Sequence, residues 1–187
     1  MRSSIRIHAI FLAAACCLAA AACTTGTATT GAAASPVAMP PAQAASQAGT
    51  AAGITWARKV QPGVTVTEIE EAFASVAAED NIRAVGELAL SKELELRSGQ
   101  PGKFLKVYSY CDPAAARLMV DFNPAMSALL PCRISVVEQE DGLWIYTMNM
   151  DMLIGMQGTM PPPVAETARR VRASILKMLD RAARGEF

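Results

Sequence analysis

Between residues 24 and 53 no side chain carries a charge, and almost every position is Ala, Thr, Gly, Ser, Pro or Gln. Such a segment cannot bury enough apolar surface to offset the entropy of ordering it. Folding is therefore confined to residues 54–187, a span long enough for a single globular domain with one core, burying on the order of two-thirds of its unfolded surface. Residues 23–53 read as a disordered tether. At about 5–6 Å times the square root of its length, it would hold the domain roughly 30 Å from whatever fixes its far end.

The far end has the form of an export segment. Arg2 and Arg6 precede an apolar run from Ile7 to Leu18, followed by alanines up to Cys23. The run is shorter than the roughly 20 apolar residues of a spanning helix, and the small residues after it suit a signal peptidase. Residues 1–22 are therefore expected to be a signal peptide. Leu18-Ala19-Ala20-Ala21-Ala22-Cys23 resembles the bacterial lipobox, whose cysteine is lipidated and becomes the mature N-terminus. Its leucine stands further from the cysteine than in the usual pattern, and Leu12 to Cys16 is an earlier competitor. Several acyl chains on Cys23, each contributing about 0.8 kcal/mol per buried methylene, make a stable anchor. Thr24 rather than aspartate follows, which favours the outer membrane. The expected location is periplasmic and membrane-anchored; the alternative is cleavage after an alanine, releasing a soluble periplasmic protein.

Composition excludes several classes of function. Without Arg2 and Arg6, the 17 basic residues fall to 15 against 17 acidic ones, a net charge of −2. No basic face for nucleic acid is expected. The single histidine, His8, lies in the export segment. A mature chain without histidine has no Ser-His-Asp triad, no Cys-His dyad and no His-rich zinc site. Glycine-rich phosphate loops, dinucleotide turns and hydrolase elbows are absent from the sequence, so no cofactor is expected.

Within the domain, Ile54 to Val60 reads as a first strand. Thr67 with Glu70 forms a capping-box pattern, and Ile69, Ala72, Phe73, Val76 and Ala77 repeat at helical spacing. Ile82 to Leu88 is a second strand, and Ser91 to Arg97 a short helical turn. Lys103 to Cys111 alternates, with Leu105, Val107, Ser109 and Cys111 on one side and Phe104, Lys106, Tyr108 and Tyr110 on the other. Asp112 and Pro113 suit the cap and first position of a helix to about Phe122. Asn123-Pro124 breaks it, and another short helical segment leads to Pro131. Cys132 to Glu138 and Leu143 to Met150 form a hairpin around Asp141-Gly142. A final helix from about Pro162 to Ala183 has Val164, Ala168, Val171, Ile175, Met178 and Ala182 as its apolar stripe and Arg169, Arg170, Arg172, Arg181 and Arg184 as its solvated face. The order predicts an α+β fold, an antiparallel sheet with helices on one face and a helical insertion between Cys111 and Cys132.

Those two cysteines belong to signatures at proline-marked strand ends, Cys111-Asp112-Pro113 and Leu130-Pro131-Cys132-Arg133. Parity places Cys111 with Leu105 and Val107, and Cys132 with Ile134 and Val136, so both are expected to face buried surfaces. If their strands are antiparallel neighbours, both thiols fall at one end of the sheet; parallel strands would separate them by a strand length, near 20 Å. Four readings follow: a structural disulfide contributing about 3 kcal/mol, a redox or thiol site with its thiolate favoured by Arg133 and the helix start and opposed by Asp112, two buried unpaired thiols, or a metal site. Met148, Met150, Met152, Met156 and Met160 suggest copper(I) as a soft ion. Trp144, Tyr146, Met148 and Met150 nevertheless share one parity, the pattern of a sheet face packed under helices, and core packing is the stronger reading. No metal site is assigned. Glu138, Glu140 and Asp141 lie near a turn and read as solvated.

The run Ala128-Leu129-Leu130-Pro131-Cys132-Arg133, together with Cys111-Asp112-Pro113 and the hairpin at Asp141-Gly142, resembles the domain of unknown function 302 family over roughly Thr65 to Leu179. That resemblance implies a TBP-like β-α-β4-α fold, favours the antiparallel meander, and implies no activity. The functional expectation is a non-enzymatic binding module taking a small ligand or partner protein near Cys111, Asp112, Pro131, Cys132 and Arg133. Its partners would be the membrane through the lipid anchor, that ligand or protein, and a second copy in a homo-oligomer. The alternative is a thiol-based redox enzyme, or a carrier of sulfur or a soft metal, with Cys111 or Cys132 as nucleophile and Arg133 holding an anion.

Overall fold

The computed structural model describes residues 53–187; the export segment, Cys23 and nearly all of the tether lie outside the described residues. The element order is β1 (Thr55–Lys59), α1 (Val66–Glu79), β2 (Arg83–Leu88), α2 (Leu90–Ser98), β3 (Leu105–Cys111), α3 (Pro113–Phe122), the 3-10 helix η1 (Pro124–Leu129), β4 (Cys132–Gln139), β5 (Gly142–Met148), α4 (Met150–Gly155) and α5 (Pro162–Arg184). The strands form one five-stranded sheet in the order β1-β5-β4-β3-β2, antiparallel at every pairing.

Helix α1 buries the five residues that its periodicity picks out, Ile69, Ala72, Phe73, Val76 and Ala77. Its cap differs from the expected one. Thr65, not Thr67, is the N-cap, and it forms the capping box with Glu68. Starting the helix earlier frees Glu70 to reach the sheet, where it accepts hydrogen bonds from Lys106 Nζ at 2.9 Å and Tyr108 Oη at 2.7 Å. Helix α5 packs beside α1, burying Ile175, Met178, Leu179 and Ala182. Most of its expected solvated arginines are engaged: Arg170 with Asp112, Arg172 with Asp151, Arg181 with Glu79 and Arg184 with Glu186.

The sheet's two faces are assigned by register. Tyr108 pairs with Ile134, Tyr110 with Cys132, Val136 with Ile145, and Ile134 with Thr147, and apart from the half-buried Cys132 all of these are buried. This is the helix-covered face. Phe73 of α1 meets both tyrosines edge-on, with ring centroids 5.3 and 6.0 Å away. A tyrosine is tolerated so deep because its hydroxyl finds a partner, as Tyr108 finds Glu70.

Two expectations fail here for the same reason. The parity of Leu105, Val107 and Cys111 is the other face of the sheet, and so is the parity of Trp144, Tyr146 and Met148. Trp144 and Tyr146 stack on one another there, centroids 6.0 Å apart and 16° between planes, while Trp144 Nε1 donates to Asp141 at 2.8 Å. Their polar tips stay at the surface, and the smaller Ile145 and Thr147 supply the buried side of β5.

The hairpin turns at Gly142, whose φ of 116° suits a residue without a Cβ. Its acidic residues hold structure rather than being merely solvated: Asp141 pairs with Lys59, Glu140 with Lys103, and Glu138 accepts from Phe104 N. Strand β5 stops at Met148, short of the expected Met150. Asn149 ends it by capping α4, its Oδ1 accepting from Asp151 N at 3.0 Å and Met152 N at 3.2 Å.

Candidate functional site

The antiparallel β3–β4 pairing brings the end of β3 and the start of β4 to one rim, with Tyr110 directly opposite Cys132 and Cys111 one residue beyond. Alternation then sends Cys132 toward the helix-covered face and Cys111 toward the open one. The two thiols share a rim but not a buried face, which corrects the expectation for Cys111. Both are free thiols and half-buried, so the disulfide reading is not what the structure contains.

At this rim lies a cleft of about 410 Å³, within the usual range of small-molecule pockets. Tyr110, Cys132 and Thr147 reach it from the helix-covered face; Val107, Cys111 and Tyr146 reach it from the open face. It therefore wraps the edge of the sheet instead of lying beneath one face. Helices close the remainder. Ala115, Ala116 and Met119 of α3 and Met126 and Leu129 of η1 form one wall, Met150, Leu153 and Ile154 of α4 another, and Val171 and Ile175 of α5 the base. The lining is overwhelmingly apolar.

All five residues singled out from the sequence line this cleft. Asp112 is the N-cap of α3, its Oδ1 accepting from Ala114 N and Ala115 N at 3.0 Å each, while Oδ2 accepts from Arg170 at 3.3 Å. Pro131 follows a cis peptide bond from Leu130. Arg133 is exposed at the lip, its backbone carbonyl accepting from Thr147 Oγ1 at 2.7 Å.

The electrostatics run against an activated thiol. Burial pushes Cys132 up to about 11, with Cys111 alongside adding to the rise. Burial also raises Cys111, and neighbouring Asp112 raises it further. A nucleophilic thiolate needs the opposite shift. The expected help from Arg133 and the α3 N-terminus does not materialise, because Asp112 already satisfies that helix end and Arg133 projects into solvent.

The α3 and η1 walls fall on helical segments expected from the sequence, whereas α4 and the methionine lining were not anticipated. Met119, Met126, Met148, Met150 and Met160 all line the cleft, where an unbranched thioether side chain fills irregular space readily. Helix α4 was hidden because Met148 and Met150 continue the parity of β5. Asn149 two residues before Asp151 was the available sign of a new helix.

A single antiparallel sheet carrying paired helices, with a cleft at the β3–β4 end, defines an α+β domain. The chain belongs to the DUF302 family: the family model described as "Domain of unknown function DUF302" matches residues 56–182. Its fold is similar to that in the crystal structure of an uncharacterized conserved DUF302 protein from Bacillus stearothermophilus, at 19% sequence identity, covering 69% of this chain and 98% of that one with a TM-score of 0.57. No curated protein matches the chain.

Proposed function

We propose that this DUF302 domain is an exported, membrane-tethered binding module whose rim cleft takes a small apolar ligand. One observation carries the reading: a cleft of about 410 Å³ is lined almost wholly by apolar side chains drawn from four helical segments and four of the five strands. A well-formed apolar pocket with a few polar groups at its edge is the default form of a ligand site. The thiol-enzyme alternative has less support, since both thiols are held protonated by their surroundings.

Nile red, a neutral dye that brightens in apolar surroundings, tests this on the purified domain. Ala116 lines the cleft and is half-buried, whereas Ala114, on the same helix, is exposed and outside it. Ala116→Trp is expected to fill the cleft and weaken dye binding at least about tenfold, equivalent to about 1.4 kcal/mol. Ala114→Trp is expected to leave binding unchanged. A wild-type domain that does not brighten the dye, or equal binding by all three proteins, overturns the reading.

A further inference from the structure

The open face of the sheet beside the cleft is unusual in charge. Across β2, β3 and β4 its residues are Arg83, Gly86 and Leu88, then Leu105, Val107, Ser109 and Cys111, then Arg133, Ser135 and Val137. No carboxylate stands among them. Register sets Arg83 opposite Cys111 and Arg133 opposite Ser109, so the two guanidinium-bearing residues flank the end of β3 from either side. Neither makes an ion pair or side-chain hydrogen bond among the described residues.

Nearby acids are committed elsewhere. Glu87 projects to the other face and pairs with Lys106 at 2.9 Å. Asp112 is occupied by the α3 cap and by Arg170. The space above β3 is also unfilled, because Gly86 has open room where a Cβ would stand and Ser109 opposite it is small. Positive charge therefore remains uncompensated at the lip of an apolar cleft. Guanidinium forks match carboxylate and phosphate oxygens.

Resting on the cleft reading above, we infer that the ligand is a single-chain amphiphile with an anionic head. Its chain lies among the methionines of the cleft, and its head sits over the end of β3 between Arg133 and Arg83. The tether supports a lipid source for such a molecule. Asn149 Nδ2 donates to Gly53 O at 3.1 Å and Asn149 N donates to Ile54 O at 2.7 Å, while Ile54, Thr55 and Met148 line the cleft. The chain leading to Cys23 thus leaves the domain at the cleft itself.

Oleate and oleyl alcohol, which share a chain and differ in the head, separate this inference from the broader one. Each is titrated against bound Nile red on wild type, Arg133→Gln and Arg133→Lys. Oleate is expected to displace the dye from wild type at about one-tenth the concentration of the alcohol, since hydrogen bonds to a charged group contribute this much or more. Arg133→Gln should erase most of that preference, Arg133→Lys should restore part of it, and Arg83→Gln, outside the cleft lining, should reduce it to a lesser degree without altering the alcohol. Equal displacement by acid and alcohol, or an acid preference that survives loss of both arginines, overturns the anionic head and leaves the apolar cleft standing. Absence of dye binding overturns both.

Discussion

Cys132 occupies a position that suppresses its own chemistry. Burial and the neighbouring Cys111 hold its pKa at about 11, so near pH 8 only about a thousandth of it is thiolate. In a Cys111→Ser variant, alkylation by iodoacetamide is expected to be slow at pH 7–8 and to climb until about pH 11. Unfolding in urea at pH 8 should accelerate it by restoring an ordinary thiol. Rapid labelling of the folded protein at pH 7 would show that the site activates the thiol after all. The linkage has a definite sign. A group whose pKa rises on folding stabilises the fold below its unfolded pKa, and that contribution disappears as pH rises through the folded value. Burial raises Tyr110 to about 12 in the same way, with the nearby Glu70 and Glu87 charges adding to it. Stability is therefore lost on the alkaline side, from about pH 9 upward through Cys132 and from about pH 10 upward through Tyr110.

Helices α1 and α5 are joined by a charge cluster at the C-terminal end of α1. Glu79 accepts from Arg181 at 2.6 Å and pairs with Lys177 at 2.8 Å, and Asp80 pairs with Lys177 at 2.9 Å. Hydrogen bonds from Arg181, then Lys177, lower Glu79 from 4.5 to about 2. A depressed carboxyl stabilises the fold above its unfolded pKa and loses that effect as pH falls through the folded one. Urea midpoints of wild type and Arg181→Gln are therefore expected to differ most at pH 7 and to converge as pH falls from about 4.5 toward 2. The difference should also shrink with added salt, because Glu79 is exposed and its partners are partly so. A gap that ignores pH would mean that Arg181 acts through packing instead.

At this same scale the limits of sequence reading become visible. The five buried positions of α1, the Asp112-Pro113 start of α3 and the Asp141-Gly142 hairpin were legible because each depends on local periodicity or local turn chemistry. Which face of the sheet the helices cover was not legible. Both parities of β3 and β5 carry apolar or aromatic residues, and the covered one is identified only by contacts between residues distant in the chain, such as Phe73 against Tyr108 and Tyr110. The paired signatures lie at the rim that carries the cleft, and the helical segment before Pro131 was legible as η1, but α4 was not, because Met148 and Met150 continue the alternation of β5.

At the scale of the whole molecule, the domain and its N-terminal segment divide the labour in our proposal. Among the described residues no helix is long and apolar enough to cross a membrane, so attachment in this scheme depends on Cys23. Expressed with its native leader, the Cys23→Ser protein is expected to move from the membrane pellet to the soluble fraction and to lose the acyl mass, while its thermal unfolding stays unchanged. Continued sedimentation with the membrane would refute lipidation at that cysteine.

Asn149 gives that arrangement a mechanical character. One side chain grips the incoming strand through Gly53 and caps α4, and its own backbone amide holds Ile54. Force applied at Gly53 therefore reaches the cleft wall before it reaches the hydrophobic interior, so in the anchored arrangement we propose, a load on the N-terminal segment would be felt first as a change in the shape of the cleft.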